Sequence, residues 1–306
     1  NLRFLLYNIR YATAAKQPRF PWSGYFNRTS GHLDEIIRFI KPLQPDIIGL
    51  VEVDGGSYRT RKLNQAESIA NELGHYHAYR TKYSEQGRLT RRLPVMNMQG
   101  NAFITRDSIP NARYHYFEKG FKRLVIELEM ENLVIFLVHL SLGFRIRHQQ
   151  LSMLYQLVKK TEKPHIVAGD FNALWGEREI DLFLAATQLR NVNIEGKPSF
   201  PSWAPKRHLD FILCSPGIET ERFWMPDVTL SDHLPLDLIL KFLHNQWVVL
   251  NLRGLGIVWL IRAPAQPVFM RVFRDYLSDI FYRIWLLSPL PVSTFRVSLA
   301  PVCAGE

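Results

Sequence analysis

A chain of 306 residues with 47% hydrophobic and 12% aromatic residues holds enough apolar material for one large or two small packed domains, which excludes a disordered or fibrous protein. Lysine and arginine outnumber the acids 38 to 28, and the formal charge of +10 favours a polyanionic partner: nucleic acid, phospholipid head groups or a polyphosphate. Cys214 and Cys303 are too few for a disulfide framework or a thiolate zinc site, so they read as ordinary thiols in a reducing, cytoplasmic compartment.

Strand-length apolar runs lie at residues 2–7, 47–51, 124–128, 133–140, 165–168, 209–214 and 235–242. The first reads as a strand rather than as part of a signal peptide. Helical patterns fall between them at 32–40 behind Ser30, at 63–73 before Gly74, at 146–158, and at 179–186 after Gly176. In the third, Leu151, Leu154, Leu157 and Val158 share one face. The strands are too apolar for a sheet with one wet face, so the expected architecture is an α/β sandwich covered on both sides. Residues 82–99, with Lys82, Arg88, Arg91 and Arg92, form a long basic connection that suits either a substrate-facing element or a solvated loop.

Beyond Lys241 no lysine appears and arginines, tryptophans and prolines crowd the chain. This shift places a boundary near 243–246, between a main domain at 1–243 and an Arg-rich, hydrophobic extension at 244–306. The apolar run 247–261 contains Arg253 and two glycines and is shorter than the roughly 20 residues that span a bilayer. Trp259, Phe269, Phe273, Phe281 and Trp285, interleaved with arginines, suit peripheral contact with a membrane surface. A packed extension or a non-native read-through segment fits the same composition and is the preferred reading.

The polar residues that end each strand carry the functional signal. Run 2–7 finishes at Asn8, the strand near 47–53 carries Glu52, run 133–138 ends at His139, and run 165–169 ends at Asp170 and Asn172. Asp210 instead starts its strand, and Asp232 and His233 precede theirs. If those two strands run antiparallel to the others, all these side chains meet at one rim. In extended backbone Asp170 and Asn172 project to the same side while Phe171 turns to the core. Asp232 and His233 point apart, so the carboxylate that orients the imidazole comes from elsewhere, with Asp210 the candidate. Taken singly, Asn8 or Asn101 is a turn or cap residue, Glu52 a solvated strand end and His139 a satisfied buried histidine. Taken together, carboxylates and amides without thiolates suit a hard cation such as Mg²⁺.

Seven segments, in order, resemble the endonuclease/exonuclease/phosphatase superfamily: Tyr7-Asn8-Ile9, Gly49-Leu50-Val51-Glu52-Val53, Gly100-Asn101-Ala102, Val138-His139-Leu140, Gly169-Asp170-Phe171-Asn172-Ala173, Leu209-Asp210-Phe211 and Ser231-Asp232-His233-Leu234-Pro235. The Gly-Asp-Phe-Asn and Ser-Asp-His-x-Pro elements are the specific ones. The resemblance, to a small bacterial-type member, implies a four-layered sandwich of two mixed β-sheets flanked by helices. It also implies in-line attack of water on phosphorus with Mg²⁺, for which Mn²⁺ is a possible substitute. Carried over, Glu52 holds the metal with Asn8 and Asp232 beside it. Asp170 orients or deprotonates the water, and Asn172 positions water or phosphate. His233, oriented by Asp210, neutralises phosphoryl oxygens with help from His139 and Asn101.

Arg10 stands two positions after the first asparagine, where many DNA-cleaving relatives have an acidic or polar residue, so it suits a phosphate contact rather than a metal. His139 occupies a place where phosphatases and phospholipid-cleaving relatives tend to carry histidine, which leans away from abasic-site repair. Pro198-Ser199-Phe200-Pro201-Ser202-Trp203 supplies aromatic surface near the rim, or packing beneath a loop. The expected function is hydrolysis of a phosphodiester or phosphomonoester in nucleic acid, a phospholipid head group or a small molecule. The alternative is a non-catalytic polyanion- or membrane-binding module on the same fold.

Overall fold

A computed structural model describes residues 1–13, 30–82, 95–109, 111–174, 176–242, 245–252 and 257–264. In chain order the first half contains β1 (Leu2–Asn8), α1 (Ser30–Ile40), β2 (Ile47–Asp54), α2 (Gln65–Leu73), β3 (Tyr76–Thr81), β4 (Gln99–Thr105), β5 (Asn111–Tyr116), β6 (Leu124–Glu129) and β7 (Val134–His139). It continues with α3 (Phe144–Lys159), β8 (His165–Asp170), α4 (Arg178–Thr187), β9 (Arg190–Asn191), β10 (Asp210–Cys214), β11 (Ile218–Trp224) and β12 (Leu236–Phe242). The chain clusters into two compact units, Asn1–Lys241 and Phe242–Glu306. In the second, β13 (Asn245–Leu252) and β14 (Ile257–Pro264) pair antiparallel. Residues 265–306, with Phe269, Phe273, Phe281, Trp285 and Cys303, lie outside the described residues, as do Arg88, Arg91 and Arg92. Among the described residues no helix is long and apolar enough to cross a membrane.

Two mixed six-stranded sheets, ordered β11-β12-β1-β2-β4-β3 and β5-β6-β7-β8-β10-β9, form the first unit. Side-chain parity explains their faces. Leu5, Tyr7, Ile48, Leu50, Ala102 and Ile104 pack with Leu33, Ile36, Ile40 and Ile69 of α1 and α2. Val125, Phe136, Val138, Val167 and Phe211 pack with Leu151, Leu154, Ile180 and Phe183 of α3 and α4. The alternate residues turn inward between the sheets. A Cβ at Gly49 would lie 3.1 Å from Leu137 and 3.3 Å from Phe4, which marks how closely the sheets approach. The layers are therefore helices, sheet, sheet, helices, and apolar residues on both faces of each central strand make that burial favourable.

Strand direction decides where the polar ends go. β1 and β2 run parallel, whereas β12 and β4 run antiparallel to them. In the other sheet β7 and β8 run parallel and β10 is antiparallel to β8, with Asp170 level with both His139 and Asp210. Strands that finish in a polar residue and strands that begin with one thus share a rim. β3 is antiparallel to β4, so it points the same way as β1 and β2 and delivers Lys82 to that rim.

Candidate active site

By parity Asn8, Asn101, His139, Asp170 and Asp210 fall on the face of each strand that looks into the gap between the sheets, at its polar end. Glu52 would break the pattern in a regular strand, since Ile48 and Leu50 face the helices. A bulge between Leu50 and Val53 corrects this: Glu52 takes a left-handed φ of 58°, Val53 takes the helix-facing position, and the carboxylate turns into the gap. Its amide donates to Asn101 Oδ1 at 3.3 Å. Asn101 is fully buried and, among the described residues, its Nδ2 has no partner. Gly169 makes the other close approach possible, because at φ 148° a Cβ there would run into the Val138 carbonyl oxygen.

Asp170 is the hub. Its Oδ1 accepts from the Asn172 amide at 2.9 Å and its Oδ2 from Asn8 Nδ2 at 3.1 Å. His139 Nε2 lies 3.3 Å and His233 Nε2 4.0 Å from the same Oδ2. Burial opposes its charge, but His139 and His233 outweigh burial and hold the carboxyl well below its usual range.

The partner expected for His233 is in place: its Nδ1 sits 2.7 Å from Asp210 Oδ2. Burial alone would pull this imidazole down, yet Asp210, then Asp170 and Asp232, lift it to about 10, so it is a cation near neutral pH. Asp210 is raised, first by burial, and its Oδ2 also accepts from Ser199 Oγ at 2.6 Å. Ser199 accepts the Leu234 amide through its carbonyl, and Phe200 packs 5.0 Å from the His233 ring. The Pro-Ser-Phe-Pro-Ser-Trp segment therefore clamps the imidazole rather than merely supplying aromatic surface, a role its composition does not reveal.

On the opposite side Lys82 Nζ and His139 Nε2 lie 3.7 and 3.8 Å from Glu52 Oε1, both beyond hydrogen-bond reach. Burial raises the Glu52 carboxyl, but the positive charges of Lys82 and Lys122 override it and bring it to about 2. His139 is pushed the other way, to about 3, by burial and then by Lys122 and Lys82, so its ring is neutral. Lys82, read from sequence as part of a connection that is either substrate-facing or solvated, is 3% exposed at the end of β3, because β3 pairs with β4 up to Thr81. Asp232 Oδ2 is 3.3 Å from Arg10 Nε, and its carboxyl is raised by burial above all.

One expectation is corrected. Asp170 and Asn172 do not share a side of an extended strand, since Asn172 turns into the left-handed region at φ 52°. Its Nδ2 donates to the Leu140 carbonyl at 2.9 Å, while Phe171 does enter the core. Cys214, one of the two thiols read as ordinary, is buried, and burial pushes it up to about 12.

The family model of the Endonuclease/Exonuclease/phosphatase family matches residues 5–233. Comparison with curated proteins gives no significant match. Solved structures resemble the fold at low identity. A mannosyl-6-phosphatase from Bacteroides thetaiotaomicron is 15% identical at a TM-score of 0.60, over 79% of this chain and 100% of its own. An endonuclease/exonuclease/phosphatase from Beutenbergia cavernae is 18% identical at 0.58, over 79% and 71%. The human nocturnin catalytic domain with bound sulfate is 19% identical at 0.55, over 79% and 93%. With the family model covering most of the chain, this protein belongs to the endonuclease/exonuclease/phosphatase family.

Proposed function

We propose that this chain hydrolyses phosphoesters with the help of a divalent cation, Mg²⁺ in the first place and Mn²⁺ as a substitute. The observation that carries the reading is Asp170, with the Asp210–His233 pair on one side and Glu52 and His139 on the other, all at the polar end of one inter-sheet gap. The likeness to a mannosyl-6-phosphatase supports a phosphate-containing substrate.

The donor set fits a hard cation. Glu52 stays ionised, and its Oε1 lies beyond hydrogen-bond reach of Lys82 and His139. The Asn101 Nδ2, without a partner among the described residues, is a donor and suits an oxygen of the substrate. Glu52, with Asp232 and Asn8, would hold the metal, which when bound supplies positive charge to the phosphoryl oxygens. Asp170, Asp210 and His233 also bring ligand atoms within 4.8 Å of one another. An imidazole held as a cation by Asp210 repels a metal there, so we assign those three to the substrate.

A carboxylate held as low as that of Asp170 is a weak base near neutral pH, so it aligns the attacking water more than it removes its proton. Asn172 fixes Asp170 through its backbone amide, its side-chain amide being committed to Leu140. His233 presents its Nε2–H as a charged donor to the phosphoryl oxygens as negative charge grows. Neutral His139 and Asn101 add uncharged donors.

The test is release of p-nitrophenol from p-nitrophenyl phosphate and from its bis ester by the full chain, with Mg²⁺ and with chelator. Cleavage in Mg²⁺ that chelator stops is the expected result. No cleavage of either ester at any Mg²⁺ or Mn²⁺ concentration would favour the binding-module reading.

A further inference from the structure

Lys82 is a buried lysine that the fold holds in place with unusual care. Its Nζ donates to Tyr11 Oη at 2.6 Å and sits 5.0 Å from the centre of the same ring. Tyr11 in turn donates to Gln99 Oε1 at 3.2 Å, accepts Gln65 Nε2 on its carbonyl at 2.8 Å, and has Arg59 over its ring. The lysine stem is enclosed at 3% exposure. Burying an ammonium costs free energy that one tyrosine hydroxyl does not return.

Neutralising Glu52 is not a sufficient reason. A neutralising lysine would close on the carboxylate at hydrogen-bond distance. Here Tyr11 holds Nζ 3.7 Å away, and it takes one of three N–H donors.

We propose that Lys82, held off Glu52 by Tyr11, binds a non-bridging oxygen of the substrate and fits the site to a dianionic phosphomonoester. This rests on the phosphoesterase reading and sharpens it. A monoester near neutral pH carries close to two negative charges on three acceptor oxygens, whereas a diester has one charge on two such oxygens.

The full chain and its Lys82→Met variant are compared on p-nitrophenyl phosphate and on the bis ester in Mg²⁺, and each is titrated with inorganic phosphate by calorimetry without metal. The wild type is expected to prefer the monoester in kcat/KM. Lys82→Met should lower monoester kcat/KM by ~10²-fold, the scale for losing one preorganised charged donor, and the diester by no more than ~10-fold. Phosphate binding should weaken at least ~10-fold, with Tm within a few degrees of wild type. Equal losses on both esters, unchanged phosphate affinity, or a wild type that prefers the diester would overturn the proposal while leaving phosphoester hydrolysis standing. A wild type that cleaves neither ester would remove both readings.

Discussion

Replacing Asp210 by Asn tests the electrostatic core of the site, because it keeps the shape of the side chain and removes the charge that sustains His233. The imidazole stands at about 10 against an ordinary 6.5, a gap of a few kcal/mol at ~1.36 kcal/mol per pH unit, and Asp210 at 2.7 Å is the largest favourable contributor. Without that charge the burial penalty is opposed only by Asp170 and Asp232, so the ring titrates lower than in the wild type and carries less positive charge at pH 7.5. The amide can also trap the wrong tautomer, a change that costs up to ~10⁴ in comparable carboxylate–imidazole pairs. We expect kcat at pH 7.5 to fall by ~10³-fold or more. A raised histidine contributes stability that is full below 6.5 and is lost as pH rises through about 10, so the stability gap between wild type and variant should be wide at pH 6 and narrow toward pH 10. The assays are p-nitrophenol release across pH, NMR titration of the His233 ring, and urea unfolding at pH 6 and 10. A variant within ~10-fold of wild-type turnover, or a wild-type ring that titrates near 6.5, would refute the reasoning.

Glu52→Gln keeps the bulge and the amide bond to Asn101 but removes a carboxylate ionised down to about 2, so the Mg²⁺ concentration for half activation should rise at least ~10-fold, as read by metal titration of turnover. The stability that Glu52 lends is present above its ordinary value of about 4.5 and lost as pH falls through about 2, so the metal-free variant should differ from wild type less at pH 2 than at pH 6. Gly169→Ala forces a Cβ into the Val138 carbonyl at a left-handed φ and should cost ~3 kcal/mol or more in urea unfolding, with loss of activity.

The central strands are legible in the sequence because both their faces are buried: β1, β2, β7, β8, β10 and β12 read as continuous apolar runs that end or begin in a polar residue. The strands that escape notice lie mostly at sheet edges. β3, β5, β9 and β11 hold polar sequences such as Tyr-His-Ala-Tyr-Arg-Thr and Ile-Glu-Thr-Glu-Arg-Phe-Trp, which carry little period-two signal. The sequence puts Lys82 in a basic connection that is substrate-facing or solvated, and its place at the rim follows from the direction of β3. β4 is central, but Gln99 and Gly100 interrupt its apolar character. The convergence of Asp170, Asp210 and His233 follows from strand polarity alone. The bulge that aims Glu52 and the turn that redirects Asn172 do not, because each depends on a left-handed residue that no glycine announces.

The most direct measurement is turnover of Asp170→Ala beside the wild type on an activated phosphoester in Mg²⁺, with circular dichroism on both. Asp170 receives Asn8 and the Asn172 amide and lies between His139 and His233, so every part of the proposed chemistry passes through it. The account expects a folded variant with turnover reduced by at least ~10³-fold. A folded variant that keeps wild-type turnover would contradict it.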